Sequence, residues 1–234
     1  MFRAEGKPGL KKNTPLYGLG HGIVLLLVLA LLTACGHRGP WDIDEYIQAL
    51  ERPGRDEYQK PEEVIKALEL KPGMVVADIG AGSGYFTRRF ARSVGREGKV
   101  LAIDVKKEML EYNQAHLSDL GPPSPAEFIL AKPDDPSLPK NSVDLIFLCN
   151  VYHHLDNPTA YFSKAKEALT PTGRVAIIDF YHDDRSGKLG FPKHHLVPRE
   201  HVIEQMNQAG LTFLRDHTFL PRQYFLEFVG ASSP

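Results

Sequence analysis

The chain has 234 residues, 24% charged and 42% hydrophobic, the composition of an ordinary globular protein with room for one large domain or two small ones. Its formal net charge is −1, and beyond residue 34 it holds 24 basic and 28 acidic residues, a body near −4. With no basic excess and no arginine-rich stripe, nucleic acid is disfavoured as a substrate.

In chain order, a basic leader (Arg3, Lys7, Lys11, Lys12) precedes an apolar run of ten residues, Ile23 to Leu32. A membrane-spanning helix needs about 20 apolar residues. Extending back to Leu16 reaches that length only by including Gly18, Gly20, His21 and Gly22. A basic start, a short apolar stretch and small residues before the cut describe a secretory signal. Its end, Leu32-Thr33-Ala34-Cys35, resembles the lipobox of bacterial lipoproteins. That resemblance implies a signal peptide over residues 1–34, lipidation of Cys35, and a domain tethered to a membrane on its periplasmic or extracytoplasmic face. An uncleaved anchor is the competing reading; a core helix would show a polar second face, which this run lacks. The other cysteine, Cys149, falls in the apolar run LIFLC, which argues against a disulfide with Cys35. No CxxC or Cys/His spacing suggests zinc.

Residues 35–60 read as a tether with a short helix and a turn at Pro53-Gly54, ahead of a domain over 61–234. From Pro61 the pattern is regular. PEEVIKALEL has proline and acids in its first turn and predicts a helix, closed by Pro72-Gly73. MVVADI is a short apolar strand, followed by a glycine turn and the helical YFTRRFARSV. Next come strand KVLAIDV, helix KKEMLEYNQAHL, strands AEFILA and SVDLIFLCN, helix PTAYFSKAKEAL, strand GRVAIIDF and helix PREHVIEQMNQAG. LTFLRDHTF and QYFLEFV close the chain as two strands with no helix between them, so one of them runs antiparallel. The alternation predicts an α/β fold, a Rossmann-like doubly wound sheet of seven mostly parallel strands with one antiparallel strand near the C-terminus.

The informative stretch is VVADIGAGSGYF. Gly80, Gly82 and Gly84 lie between a strand and a helix, where a ligand approaches the backbone closely. The spacing is GxGxG, with Tyr85 in place of a dinucleotide fingerprint's third glycine, and no Gly-Lys-Ser/Thr ending marks a P-loop. Asp78 before the turn would repel a pyrophosphate and welcome an ammonium group. Asp104, closing the second strand, is placed to accept hydrogen bonds from both hydroxyls of a ribose. A ligand with an ammonium group, a ribose and no phosphate is S-adenosylmethionine.

DIGAGSG, AIDV and LPKNSVDLIFLCNVYHHL, in this order and spacing, resemble the class I S-adenosylmethionine-dependent methyltransferases over about residues 56–230. The resemblance implies that cofactor, held by Asp78, Gly80, Gly82, Gly84, Asp104 and Asn150. One segment departs from the family. After the third strand relatives often carry Gly-Asp-Ala, whose acid contacts adenine; here Lys132 stands at that place in Ala131-Lys132-Pro133-Asp134-Asp135. Either Asp134 or Asp135 substitutes from a shifted loop, or backbone groups read the adenine.

Methyl transfer from a sulfonium needs alignment and exclusion of water, and a base only where the acceptor must lose a proton. His153 and His154, after the fourth strand, are the candidate catalytic residues, His153 being nearer the cleft. Either histidine also reads as a packing residue against the following helix, His154 more readily than His153. The segment lacks the Asn/Asp-Pro-Pro-Tyr/Phe signature of many enzymes that methylate amino groups. The loop FYHDDRSGKLGFPKHHLVP reads as a lid, its acids and histidines either solvated or metal-binding, and no metal is assigned. The expected acceptor is a small molecule or lipid-like compound. A membrane-tethered binding protein that keeps a nucleoside-type pocket without catalysis is the alternative. The cofactor is made in the cytoplasm, whereas the lipobox points outside it.

Overall fold

The computed structural model of the chain describes residues 42–117, 125–189 and 192–230. The chain divides into Met1–Asp42 and Ile43–Pro234, and the fold below is that of the second unit. The expected signal peptide and Cys35 lie outside the described residues. Among those residues, no helix is long and apolar enough to cross a membrane.

Among the described residues, three short helices, α1 (Ile43–Leu50), α2 (Arg55–Gln59) and α3 (Pro61–Ala67), precede the sheet. Proline at the first position of α3 fixes a helical φ where no intrahelical N–H is needed. Then β1 (Val75–Ile79), α4 (Thr87–Val94), β2 (Lys99–Asp104), α5 (Lys107–Leu117), β3 (Ala126–Leu130) and β4 (Val143–Cys149) alternate. A 3₁₀ turn (Tyr152–His154), α6 (Pro158–Ala165), β5 (Leu169–Phe180), α7 (Arg199–Gln208), β6 (Leu211–Asp216) and β7 (Gln223–Gly230) complete the fold.

The seven strands are ordered β3-β2-β1-β4-β5-β7-β6, parallel except for β7, which runs antiparallel to both neighbours. This is the expected sheet. Strand order reverses between β1 and β4, and a doubly wound sheet opens a crevice at the carboxyl ends of the strands flanking that reversal. One boundary differs: the sequence predicts a helix through Leu169 and a strand from Gly173, whereas β5 begins at Leu169. Pairing with β4 jumps from Val143–Leu169 to Leu145–Arg174, so Thr170–Gly173 form an irregularity within the strand instead of a turn before it.

Burial on both faces explains the near-continuous apolar strands. Ala77, Ile79, Leu101 and Ile103 face one layer with Phe162 of α6 and Met206 of α7. Val76, Val100, Leu145 and Phe147 face the other with Val64 of α3 and Phe90 of α4. A third, smaller cluster joins Tyr58 of α2 to Phe180 and Leu196, so α2 packs on the end of β5 and the loop after it.

Candidate active site

The crevice at the ends of β1, β2 and β4 is a cavity of about 440 Å³, within the size range of small-ligand sites. Its floor is the glycine turn and the strand ends, and Tyr46, Leu50 and Arg55 of α1 and α2 contribute to its wall. Those three residues belong to the segment read from sequence as a tether. No spacing signature in that segment marks them, and only the packing of the N-terminal helices brings them to the site.

The turn leaves β1 with the Gly80 and Ala81 N–H groups donating to the Ile103 carbonyl at 2.8 and 3.0 Å. Gly80 has φ +68°, and a Cβ there would collide with the Val151 side chain. The Gly82 N–H donates to Asp104 Oδ2, and the Lys106 N–H to Oδ1, both at 2.9 Å. Backbone donors thus hold the Asp104 carboxylate at the cavity wall. Burial raises the pKa of Asp104, against these same backbone hydrogen bonds.

Three of the expected ligand residues are placed otherwise. Asp78 does not line the cavity; it is buried beneath the turn, where Thr87 Oγ1 donates to its Oδ2 at 2.6 Å. The reason is strand alternation: Ala77 and Ile79 face the cavity layer, so Asp78 shares the opposite face with Val76, under α4. Burial pushes its pKa up to about 7, the Thr87 hydrogen bond opposing. Gly84 (φ +88°) also lies away from the cavity, and a Cβ there would collide with the Asn113 side chain of α5. Asp134 is an exposed loop residue whose carbonyl accepts from Lys164 Nζ at 3.1 Å. In that segment the cavity wall is formed by Ala131, Lys132 and Pro133, because a tight bridge between Lys132 and Asp135 turns the chain there.

Asn150, Cys149, His153 and His154 do come together at the cavity. Asn150 takes a left-handed conformation, φ +60°, and its side chain is held by two others. Gln223 Nε2 donates to Asn150 Oδ1 at 2.5 Å, Asn150 Nδ2 reaches Gln59 Oε1 at 3.5 Å, and Gln59 Nε2 donates to Gln223 Oε1 at 3.0 Å. This closed ring of three amides ties α2, β4 and β7 together behind the site. Burial pushes the Cys149 thiol up to about 12, so it is a poor nucleophile near neutral pH.

His153 sits in the 3₁₀ turn with Nδ1 2.8 Å from Asp179 Oδ1, while its backbone N–H donates to Asp179 Oδ2 at 3.2 Å. Asp179, at the end of β5, also accepts from the Phe180 N–H at 2.8 Å, and both side chains of the pair are buried. Asp179 immediately precedes the loop read from sequence as a lid, and the structure separates it from that loop's acids. Asp183 holds Arg185 and Asp184 holds Lys193 at the surface, while Asp179 turns inward. Among the described residues, no group of three His, Cys, Asp or Glu side chains is placed to hold a metal ion. The His154 ring lies 4.1 Å from that of His153; partial burial, and then the neighbouring His153, lower its pKa.

These features fit a nucleoside cofactor: a carboxylate aimed by backbone donors, a glycine floor, and a buried guanidinium, Arg55, whose Nε has no hydrogen-bond partner among the described residues. The sequence model of a methyltransferase domain matches residues 76–173. The chain is 28% identical over 116 residues to a ubiquinone/menaquinone biosynthesis C-methyltransferase of Shewanella pealeana, a match covering 50% of this chain and 46% of that protein. A protein of the same name from Hahella chejuensis is 29% identical over 111 residues, 47% of this chain and 45% of the relative. The chain thus spans about half the length of the curated relatives it matches. A solved structure of an S-adenosylmethionine-dependent methyltransferase from Aquifex aeolicus superimposes with a TM-score of 0.73 at 30% identity, covering 81% of this chain and 98% of that one.

Proposed function

Because the chain belongs to the class I S-adenosylmethionine-dependent methyltransferases, we propose that it methylates a small or lipid-like acceptor at an oxygen or carbon that must lose a proton. The observation that carries this reading is the buried His153–Asp179 pair at the cavity that holds the glycine turn. S-adenosylmethionine, when bound, supplies an electrophilic methyl group. The chain's own part is alignment, dryness and removal of a proton. Asp104 orients the ribose side, while Leu50, Met109 and Leu155 line the cavity with apolar surface that excludes water. Asp179 hydrogen-bonds His153 Nδ1 at 2.8 Å and so orients the imidazole that takes the proton lost by the acceptor. The names of the curated relatives favour a quinol-type aromatic carbon as that acceptor.

The test is formation of S-adenosylhomocysteine from S-adenosylmethionine with detergent-dispersed quinols and phenols, run beside a panel of amines. Turnover of a quinol or phenol that His153→Ala abolishes supports the reading. Turnover of amines alone, indifferent to His153→Ala, overturns it.

We also propose that Cys35 carries the lipid and tethers the domain to the extracytoplasmic face of a membrane, on the strength of Leu32-Thr33-Ala34-Cys35. Mass spectrometry of the membrane-extracted protein tests this. A diacylglyceryl-modified Cys35 at the mature N-terminus is expected; an intact segment from Met1 to Ala34 overturns it.

A further inference from the structure

Among the described residues, Arg55 is a buried cation without a counter-ion. It is 7% exposed and lines the cavity from the first turn of α2, outside the span 76–173 matched by the methyltransferase-domain family. Nη1 donates to the Leu50 carbonyl at 2.8 Å, and Nε has no hydrogen-bond partner among the described residues. Arg88, Arg89, Arg174, Arg185 and Arg199 each hold a carboxylate. Among the described residues no carboxylate pairs with Arg55. Asp78 is near enough to feel its charge, but that carboxyl lies beneath the turn and is held by Thr87. The other neighbours are the Tyr85 ring, whose centroid lies 3.8 Å from the Arg55 Cζ, and the Cys149 thiol. Stacking on an aromatic face leaves the in-plane N–H donors of a guanidinium free to meet an anion. Removing such a charge from water is costly unless something of opposite sign meets it.

We infer that Arg55 is the binding residue for the carboxylate of the cofactor's amino-acid end. This rests on the cofactor assignment above. S-adenosylmethionine has one anionic group, and the sheet order places Arg55 on the correct side of the nucleoside. Asp104 closes β2, the glycine turn closes β1, and Cys149, which touches Arg55, closes β4. Two strand spacings separate β2 from β4, about 10 Å, a gap that the aminobutyrate chain on the 5′-sulfur bridges when the ribose rests on Asp104. Planar guanidinium and carboxylate match in a two-point contact that an ammonium cannot reproduce, so lysine is a poor substitute.

The test compares two ligands by calorimetry on the full chain: S-adenosylhomocysteine and its decarboxylated analogue, which keeps the nucleoside, the sulfur and the amine. The parent is expected to prefer S-adenosylhomocysteine by about 10- to 100-fold, the range for a hydrogen-bonded charge pair. Arg55→Ala should compress that preference to within a few-fold while leaving the analogue's affinity unchanged, and Arg55→Lys should restore it in part. A parent that does not distinguish the ligands overturns the assignment, whatever the variants do. So does an Arg55→Ala protein that weakens both ligands equally, the mark of a structural role. A parent that binds neither ligand overturns the cofactor assignment itself.

Discussion

His153 and Asp179 meet twice: the ring Nδ1 stands 2.8 Å from one carboxylate oxygen, and the backbone N–H of the same residue reaches the other at 3.2 Å. One buried acid at the end of β5 therefore fixes both the position of the turn after β4 and the orientation of its imidazole. This predicts a loss of turnover for His153→Ala of about 10²- to 10⁴-fold, the usual contribution of a positioned base, with S-adenosylhomocysteine affinity unchanged. Asp179→Asn should lose rate as well, since an amide holds the opposite tautomer equally well. His154→Ala, an exposed position, should lose much less. Steady-state rates on an identified acceptor, with calorimetry as the control, check all three, and parental rates for His153→Ala would remove it from catalysis.

Asp104 predicts a binding defect without a folding defect. Its carboxylate is aimed by the Gly82 and Lys106 N–H groups, and replacement by alanine removes the acceptor that ribose hydroxyls need in a partly buried site. Affinity for S-adenosylhomocysteine should fall by about 1 to 3 kcal/mol. Unchanged affinity in calorimetry would show that the ribose lies elsewhere.

Asp78 predicts a pH dependence of stability. Its folded pKa, pushed up to about 7, exceeds the ordinary value of 3.8, so the folded protein retains a proton that the unfolded chain has released. Folding stability from this group is therefore present at low pH and declines as pH rises from about 4 to about 7, levelling off above. The full span is on the order of 4 kcal/mol. Asp78→Asn removes the titration, so its stability relative to the parent should climb across that window. Urea midpoints measured from pH 5 to pH 8 read this directly, and a constant difference between the two proteins would refute it.

Cys149 predicts chemical silence. With its thiol pKa pushed up to about 12 by burial, peptide-resolved mass spectrometry should find negligible alkylation by iodoacetamide at pH 8 until denaturant is added. Rapid labelling of the folded protein would mean that the end of β4 is open.

The sequence alone determined the sheet, because a parallel strand buried on both faces has to be an apolar run and the helices between must be amphipathic; both are local patterns. It also located the glycine turn and the acid at the next strand end, Asp104, both of which come to the cavity wall. Sequence proximity did not decide which side of a strand a residue faces. Asp78 and Gly84 belong to the same short motif as Gly80 and Gly82, yet the first pair packs against Thr87 and Asn113 and the second lines the cavity. Nor did it reveal partners brought together by the fold: Asp179 lies 26 residues from His153, and Gln223 lies 164 residues from Gln59. Arg55 carries no motif at all. A charge becomes a site only when packing removes its water and withholds a partner, and that depends on where α2 comes to rest against the strand ends.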